Sequence, residues 1–116
     1  ETEEKIKVLK AFMTEKEPFL NPELTIQNLA SQMGFSQKEV SIIINQYMNK
    51  HFFDFINDYR ITKAMSILEN PKEKELTILE ILYSVGFNSK SSFNTAFKKH
   101  SILTPAEYRK KVLSEK

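Results

Sequence analysis

Apolar residues recur at helical spacing almost from end to end of this chain. Ile6, Leu9, Phe12 and Met13 share one face of residues 4–14, and Pro18 followed by Asn21-Pro22 closes that first helix. Ile26, Leu29, Ala30 and Met33 mark a second helix. Val40, Ile43, Ile44 and Tyr47, at i, i+3, i+4 and i+7, mark the buried face of a third. A long helix follows through Phe52, Phe55, Ile56, Tyr59, Ile61, Ala64, Met65 and Leu68, ending near Asn70-Pro71. Ile78, Ile81, Leu82 and Val85 mark a fifth; Phe93, Ala96 and Phe97 a sixth; Tyr108, Val112 and Leu113 a seventh. No stretch rich in Val, Thr and Tyr alternates with period two, so the expected fold class is all-α with about seven helices.

The pattern also repeats. Thr25-Ile26, Leu29, Met33, Gly34 and Phe35 stand 52 positions before Thr77-Ile78, Ile81, Val85, Gly86 and Phe87. The offset then becomes 53, pairing Val40 with Phe93, Ile44 with Phe97, Asp54 with Glu107 and Phe55 with Tyr108. Both glycines of the chain take the same place in the two copies. Each copy reads as a short helix, a tight turn and a second helix. Thr25 and Thr77 are N-caps, and each glycine supplies a left-handed residue where the first helix ends. Ser36-x-x-Glu39 is a capping box that restarts the chain, Thr77-x-x-Glu80 is another, and Ser89 caps the last helix of the second copy. Thr104-Pro105-x-Glu107 combines an N-cap, a proline at the first helical position and an acidic N3 residue. Two helices joined around a glycine form a helix-turn-helix. The expected organisation is a first helix and first motif over 1–51, a linker helix over 52–70 that bridges the two lobes, and a second motif with a C-terminal helix over 71–116.

Net charge is only +2, but it is unevenly spread: residues 1–58 hold 6 Lys/Arg against 9 Asp/Glu, and residues 59–116 hold 11 against 6. Lys90, Lys98, Lys99, Arg109, Lys110 and Lys111 face Glu107 alone within 89–111. That basic third suits a phosphate-facing surface, and equally an ordinary solvated lysine face. The chain lacks cysteine, which excludes disulfides and thiolate metal sites and fits a reducing compartment. No apolar run approaches the roughly 20 residues that span a bilayer. The start at Glu1-Thr2-Glu3-Glu4, without methionine, leads us to expect a piece of a longer protein with a sensor, membrane segment or dimerisation region upstream.

Two such motifs separated by one long helix resemble the DNA-binding domain of the AraC/XylS family of bacterial transcription regulators, in the form common among Bacteroidetes. The segments carrying the resemblance are "FFDFINDYRITKAMSIL" at 52–68, "TILEILYSVGFNSKSSFNTAFKKH" at 77–100 and "TPAEYRK" at 104–110. The resemblance implies sequence-specific binding of double-stranded DNA, with the second helix of each motif (37–48 and 90–100) entering successive major grooves roughly 34 Å apart. It also implies RNA polymerase as a partner, a cytoplasmic setting, and neither cofactor, metal nor small-molecule ligand in this piece. Two departures stand out. Arginines common on the recognition helices are replaced by Ile42 and Thr95, and glycines after those helices by Asn49 and Ile102. Asn tolerates a left-handed backbone and Ile does not, so the second loop is expected to take another shape.

Subtracting the buried faces leaves the candidate contacts. Lys90, Ser91, Asn94 and Thr95 on the second motif, and Gln37, Lys38, Ser41, Ile42 and Asn45 on the first, are candidates for base edges. Asn suits adenine, while Thr or Ile offers a methyl to thymine. Lys98, Lys99, Arg109 and Lys110, with the helix starts at Thr25, Thr77 and Ser89, are candidates for phosphate. Both sets can instead be read as solvated surface. The weak charge of 36–50, with Lys38 and Lys50 against Glu39, suggests that the second motif carries most phosphate affinity. A catalytic role is not expected: His51 and His100 lack ligand-spaced partners, and no glycine-rich phosphate loop is present. The remaining alternative is a protein-docking module derived from a helix-turn-helix pair. RNA binding is more distant, because the phenylalanines occupy core positions rather than exposed stacking platforms.

Overall fold

The computed structural model describes residues 1–115, and among these it holds seven α-helices and no strand. They are α1 (Thr2–Lys16), α2 (Ile26–Met33), α3 (Gln37–Ile42), α4 (Phe52–Leu68), α5 (Ile78–Ser84), α6 (Lys90–Ser101) and α7 (Pro105–Ser114). Short 3-10 turns occupy Pro18–Leu20 and Pro71–Glu73, and a π-helical turn, Ile43–Tyr47, continues α3. The chain forms two compact units, Glu1–Ile56 and Asn57–Lys116, with the division falling inside α4.

Local chemistry sets the boundaries. Thr25 Oγ1 accepts the Asn28 N–H at 3.1 Å and the Asn28 amide oxygen accepts the Thr25 N–H at 3.4 Å, so α2 starts at a reciprocal cap. It stops at Gly34, whose φ of 74° suits a residue without Cβ. Ser36 and Glu39 then form the same reciprocal pair at 3.0 and 2.8 Å and open α3. In the second unit Thr77 and Glu80 open α5 at 3.0 and 2.9 Å, and Gly86 turns the chain at φ 108°. Ser89 Oγ accepts the Ser92 N–H at 3.1 Å to open α6. Thr104 and Glu107 open α7 at 3.1 and 2.9 Å, with Pro105 at the first helical position.

In the first unit Leu9, Met13, Phe19, Leu24, Leu29, Ala30, Val40, Ile43, Ile44, Phe55 and Ile56 are buried. In the second, Ile61, Ala64 and Leu68 of α4 pack with Ile81, Leu82, Val85, Phe87, Phe93 and Phe97. An edge-to-face chain of rings threads this core: Phe87 to Phe93 at 5.2 Å, Phe93 to Phe97 at 5.6 Å, and Phe97 to Tyr108 at 5.5 Å. The Tyr108 hydroxyl donates to Glu69 Oε2. Burial and that carboxylate push the phenol up to about 12. Arg60 also enters this core, only 6% exposed, with its guanidinium carbon 5.6 Å from the Phe87 ring centre and Nη1 donating to Asn57 Oδ1 at 3.0 Å.

Two expectations are corrected. Tyr47 is not buried; it is 57% exposed. The π-helical turn, in which the Met48 N–H bonds the Ile43 carbonyl at 3.0 Å five residues back, replaces the i, i+4 registry that would have brought Tyr47 inward. The loop after α6 does not avoid the left-handed region. Ile102 sits at φ 74°, ψ −27°, and Asn49 at the matching place after the first motif has φ 54°. The Ile102 N–H still closes the helix on the Lys98 carbonyl at 2.8 Å. Ser101 Oγ bonds the Leu103 backbone, and the Thr104 cap follows at once, so the flanks impose the turn on a β-branched residue.

Ile102→Gly should therefore raise stability by about 1 kcal/mol, the steric cost of a left-handed side chain less the extra freedom of glycine in the unfolded chain. Denaturant unfolding measures it; an unchanged or lowered midpoint would mean that the turn is not strained.

Candidate nucleic-acid interface

On α6 the side chains sort cleanly. Phe93 and Phe97 are buried and Ala96 is half-buried, which leaves Lys90, Ser91, Asn94, Thr95 and Lys98 exposed along the other side. No acidic residue lies in the first turn, so the partial positive charge of the helix start is not offset there. Lys98, Lys99 and His100 occupy the last turn, where they complement the negative end of the helix. The Ser89 hydroxyl oxygen is engaged as the cap, and its O–H donates to Ser92 Oγ at 3.0 Å. Ser89 thus fixes the helix start more directly than it offers itself to a ligand.

The first unit presents a different face. Gln37, Lys38 and Asn45 are exposed, while Ser41 and Ile42 are half-buried. Asn45 Nδ2 donates to Ser41 Oγ at 3.1 Å, which joins two of the candidates into one polar pair and uses one amide proton. The π-helical turn begins directly after Ile42 and re-aims the residues beyond it.

The helix starts differ in a way that bears on phosphate. At α5 the cap partner of Thr77 is the carboxylate of Glu80, held below the usual range by the Thr77 hydrogen bonds. At α2 the partner of Thr25 is the neutral amide of Asn28. An anion approaching Thr25 meets helix N–H groups without a carboxylate in the first turn; at Thr77 it meets one. Lys98, Lys99 and Lys110 are exposed. Arg109 is placed otherwise: it is half-buried, and Nη2 donates to the Glu73 carbonyl at 3.3 Å. It ties α7 to the Pro71–Glu73 turn, which sets it apart from the exposed lysines as a phosphate candidate.

Two residues escaped the sequence reading. Arg60 lies on the run Ile56, Arg60, Ala64 and Leu68, and an arginine on an i, i+4 apolar stripe was a readable sign of burial. Lys5 of α1 bonds Glu39 Oε2 at 2.6 Å, across 34 positions that no local pattern connects.

The geometry has counterparts in known proteins. A family model described as a helix-turn-helix domain matches residues 29–111. The HTH-type transcriptional regulator YdeC of Bacillus subtilis is 32% identical over 87 residues, which cover 75% of this chain and 29% of YdeC. The probable transcription factor PqrA of Proteus vulgaris is 29% identical over 89 residues, covering 77% of this chain and 70% of PqrA. A transcriptional regulator from Chromobacterium violaceum, described as AraC-type, shares the fold with a TM-score of 0.78 at 21% identity, over 95% of this chain and 93% of that one. This chain therefore spans less than a third of YdeC and over two thirds of PqrA.

At the start of α3 one carboxylate does two things: Glu39 Oε1 accepts the Ser36 N–H at 2.8 Å while Oε2 accepts Lys5 Nζ. The Lys5 ammonium first, and the Ser36 bonds next, pull the Glu39 carboxyl from 4.5 down to about 2. A depressed folded pKa means that the charged form stabilises the fold above about pH 4.5, and that this contribution is lost as pH falls towards 2. The stability gap between wild type and Glu39→Gln should accordingly close across that window in thermal unfolding. A gap independent of pH would show that the ion pair contributes nothing.

Proposed function

The chain belongs to the AraC-type family of helix-turn-helix DNA-binding domains, and from that premise we propose how it reads double-stranded DNA: α6, and α3 with its π-helical turn, each lie in a major groove. The observation that carries this reading is the exposed stripe Lys90, Ser91, Asn94, Thr95 and Lys98, held outward by buried Phe93 and Phe97. Asn94 pairs with adenine through its amide; Thr95 offers its methyl to thymine or its hydroxyl to a base edge; Lys90 and Ser91 contact bases near the helix start. On the first motif Gln37, Lys38 and the Ser41–Asn45 pair read polar edges, and Ile42 meets a thymine methyl. Lys98, Lys99 and Lys110 take phosphates, as do the helix starts at Thr25 and, more weakly, Thr77. Residues 52–70 connect the segments 1–51 and 71–116.

In this reading the whole protein is a cytoplasmic transcription regulator without catalytic activity. RNA polymerase is its protein partner, and a sensing or dimerising region lies outside this chain. The docking-module alternative is not favoured, given the family to which the chain belongs.

Selection from random-sequence duplex, followed by a salt titration on the winner, tests the reading. A two-part motif and a log–log salt slope of about −5 or steeper are expected. Lys98→Ala should weaken binding to all sequences and reduce the slope by about 1. Asn94→Ala should cost about 1–3 kcal/mol and relax preference at a single base pair. Absence of both enrichment and salt-dependent retention would overturn the assignment; equal losses from Lys38→Ala and Lys98→Ala would overturn the leading role given to the second motif.

A further inference from the structure

We propose that Ile102 is an additional DNA contact, packing its apolar side chain on the deoxyribose wall that borders the groove entered by α6. The inference rests on the groove placement of α6 given above.

Ile102 combines three properties that do not normally coincide. It is β-branched, its backbone lies at φ 74°, and the residue is 85% exposed. A left-handed conformation is sterically unfavourable in such a residue, and an exposed side chain recovers little of that cost by packing within its own unit. The repeat requires the backbone shape, because Asn49 adopts positive φ at the matching place. It does not require isoleucine: Asn49 shows that a residue better suited to positive φ can hold the position. The side chain is therefore the unexplained element, and it has something to do only when another surface arrives.

Position identifies that surface. The Ile102 N–H bonds the Lys98 carbonyl, which sets its Cα one helical turn beyond Lys98, continuing the row Ser91, Asn94, Thr95 and Lys98. The 12 residues of α6 rise about 18 Å, whereas the major groove is about 12 Å wide. A helix with its first turns at base edges overhangs the strand at its far end. There Lys98 and Lys99 meet phosphate charge, and the surface between phosphates is the hydrocarbon face of the sugar. A short branched aliphatic group matches that face and carries no sequence information.

The contact has its own signature. An apolar sugar contact displaces no counterion, so losing it lowers affinity for every duplex alike and leaves the salt slope unchanged. Losing a lysine lowers the slope. The test uses the whole chain with Ile102→Gly and Ile102→Asn, both suited to the left-handed turn, against the duplex recovered by selection and a mixed-sequence duplex of equal length. The expected result is a loss of roughly 3- to 10-fold on both duplexes at an unchanged slope, with thermal stability above wild type. Unchanged or tighter binding in either variant would overturn the proposal and leave Ile102 as a strained helix stop. A loss confined to one sequence, or a shallower slope, would overturn the sugar contact as well. Failure of the wild-type chain to bind either duplex would instead remove the groove placement on which the inference rests.

Discussion

Everything in these two motifs depends on stopping one helix and starting the next within a few residues. A helix end leaves unpaired carbonyls and the next start leaves unpaired N–H groups, so the joint must satisfy both without burying any unmet. Gly34 and Gly86 do the first half by adopting positive φ, which returns the Phe35 and Phe87 N–H groups to the Ala30 and Leu82 carbonyls at 3.0 Å each. Ser36 and Ser89 do the second half through their hydroxyls. Phe87 shows how the joint is coupled to packing: the residue after the glycine is buried and starts the ring chain that continues through Phe93 and Phe97. The turn therefore fixes which side of α6 faces inward, and by exclusion which side chains remain for a ligand.

The electrostatics of the helix starts add a second layer. Among the described residues, α3, α5 and α7 place a glutamate in the cap, whereas α2 and α6 begin without an acidic residue in the first turn. A glutamate makes the stronger cap, because a charged acceptor strengthens the hydrogen bond and complements the dipole. It also repels an approaching phosphate. The helix whose outward face is most basic is thus one that forgoes the carboxylate. On α3 the carboxylate is kept, but Lys5 neutralises it from α1. Stability and anion binding make opposite demands on a helix start, and the two motifs meet them differently.

Most of the fold was legible because its punctuation is local. Caps, glycines and prolines act within four residues, and each N-cap named from sequence accepts the expected hydrogen bond in the structure. What was not legible acts through tertiary context. Tyr47 falls inward on a period that assumes regular α-helix, and the π-helical turn at Ile43–Tyr47 breaks that assumption without a glycine or proline to announce it. Intrinsic preference keeps isoleucine away from positive φ, yet the Ser101 and Thr104 bonds on either side of Ile102 outweigh it. The Lys5–Glu39 pair joins positions too far apart for any spacing rule. Of the candidate contacts, the row on α6 follows directly from its buried phenylalanines. Arg109 looked like one more exposed cation in a basic run, and only the carbonyl of Glu73 reveals its other bond.

The composition of α6 shows what such a face demands of the core beneath it. Ser91, Asn94 and Thr95 are all weaker helix formers than alanine, each by roughly half a kcal/mol, about 1.5 kcal/mol together. The cause is chemical: side chains that bond well to base edges also bond to their own backbone and compete with the helix. Burying Phe93 and Phe97 supplies about 1.5–3 kcal/mol apiece, enough to offset that deficit. The outward face can be polar because the two rings beneath it are buried. Replacing outward residues with better helix formers would strengthen α6 while removing the polar groups that the proposed duplex contact uses.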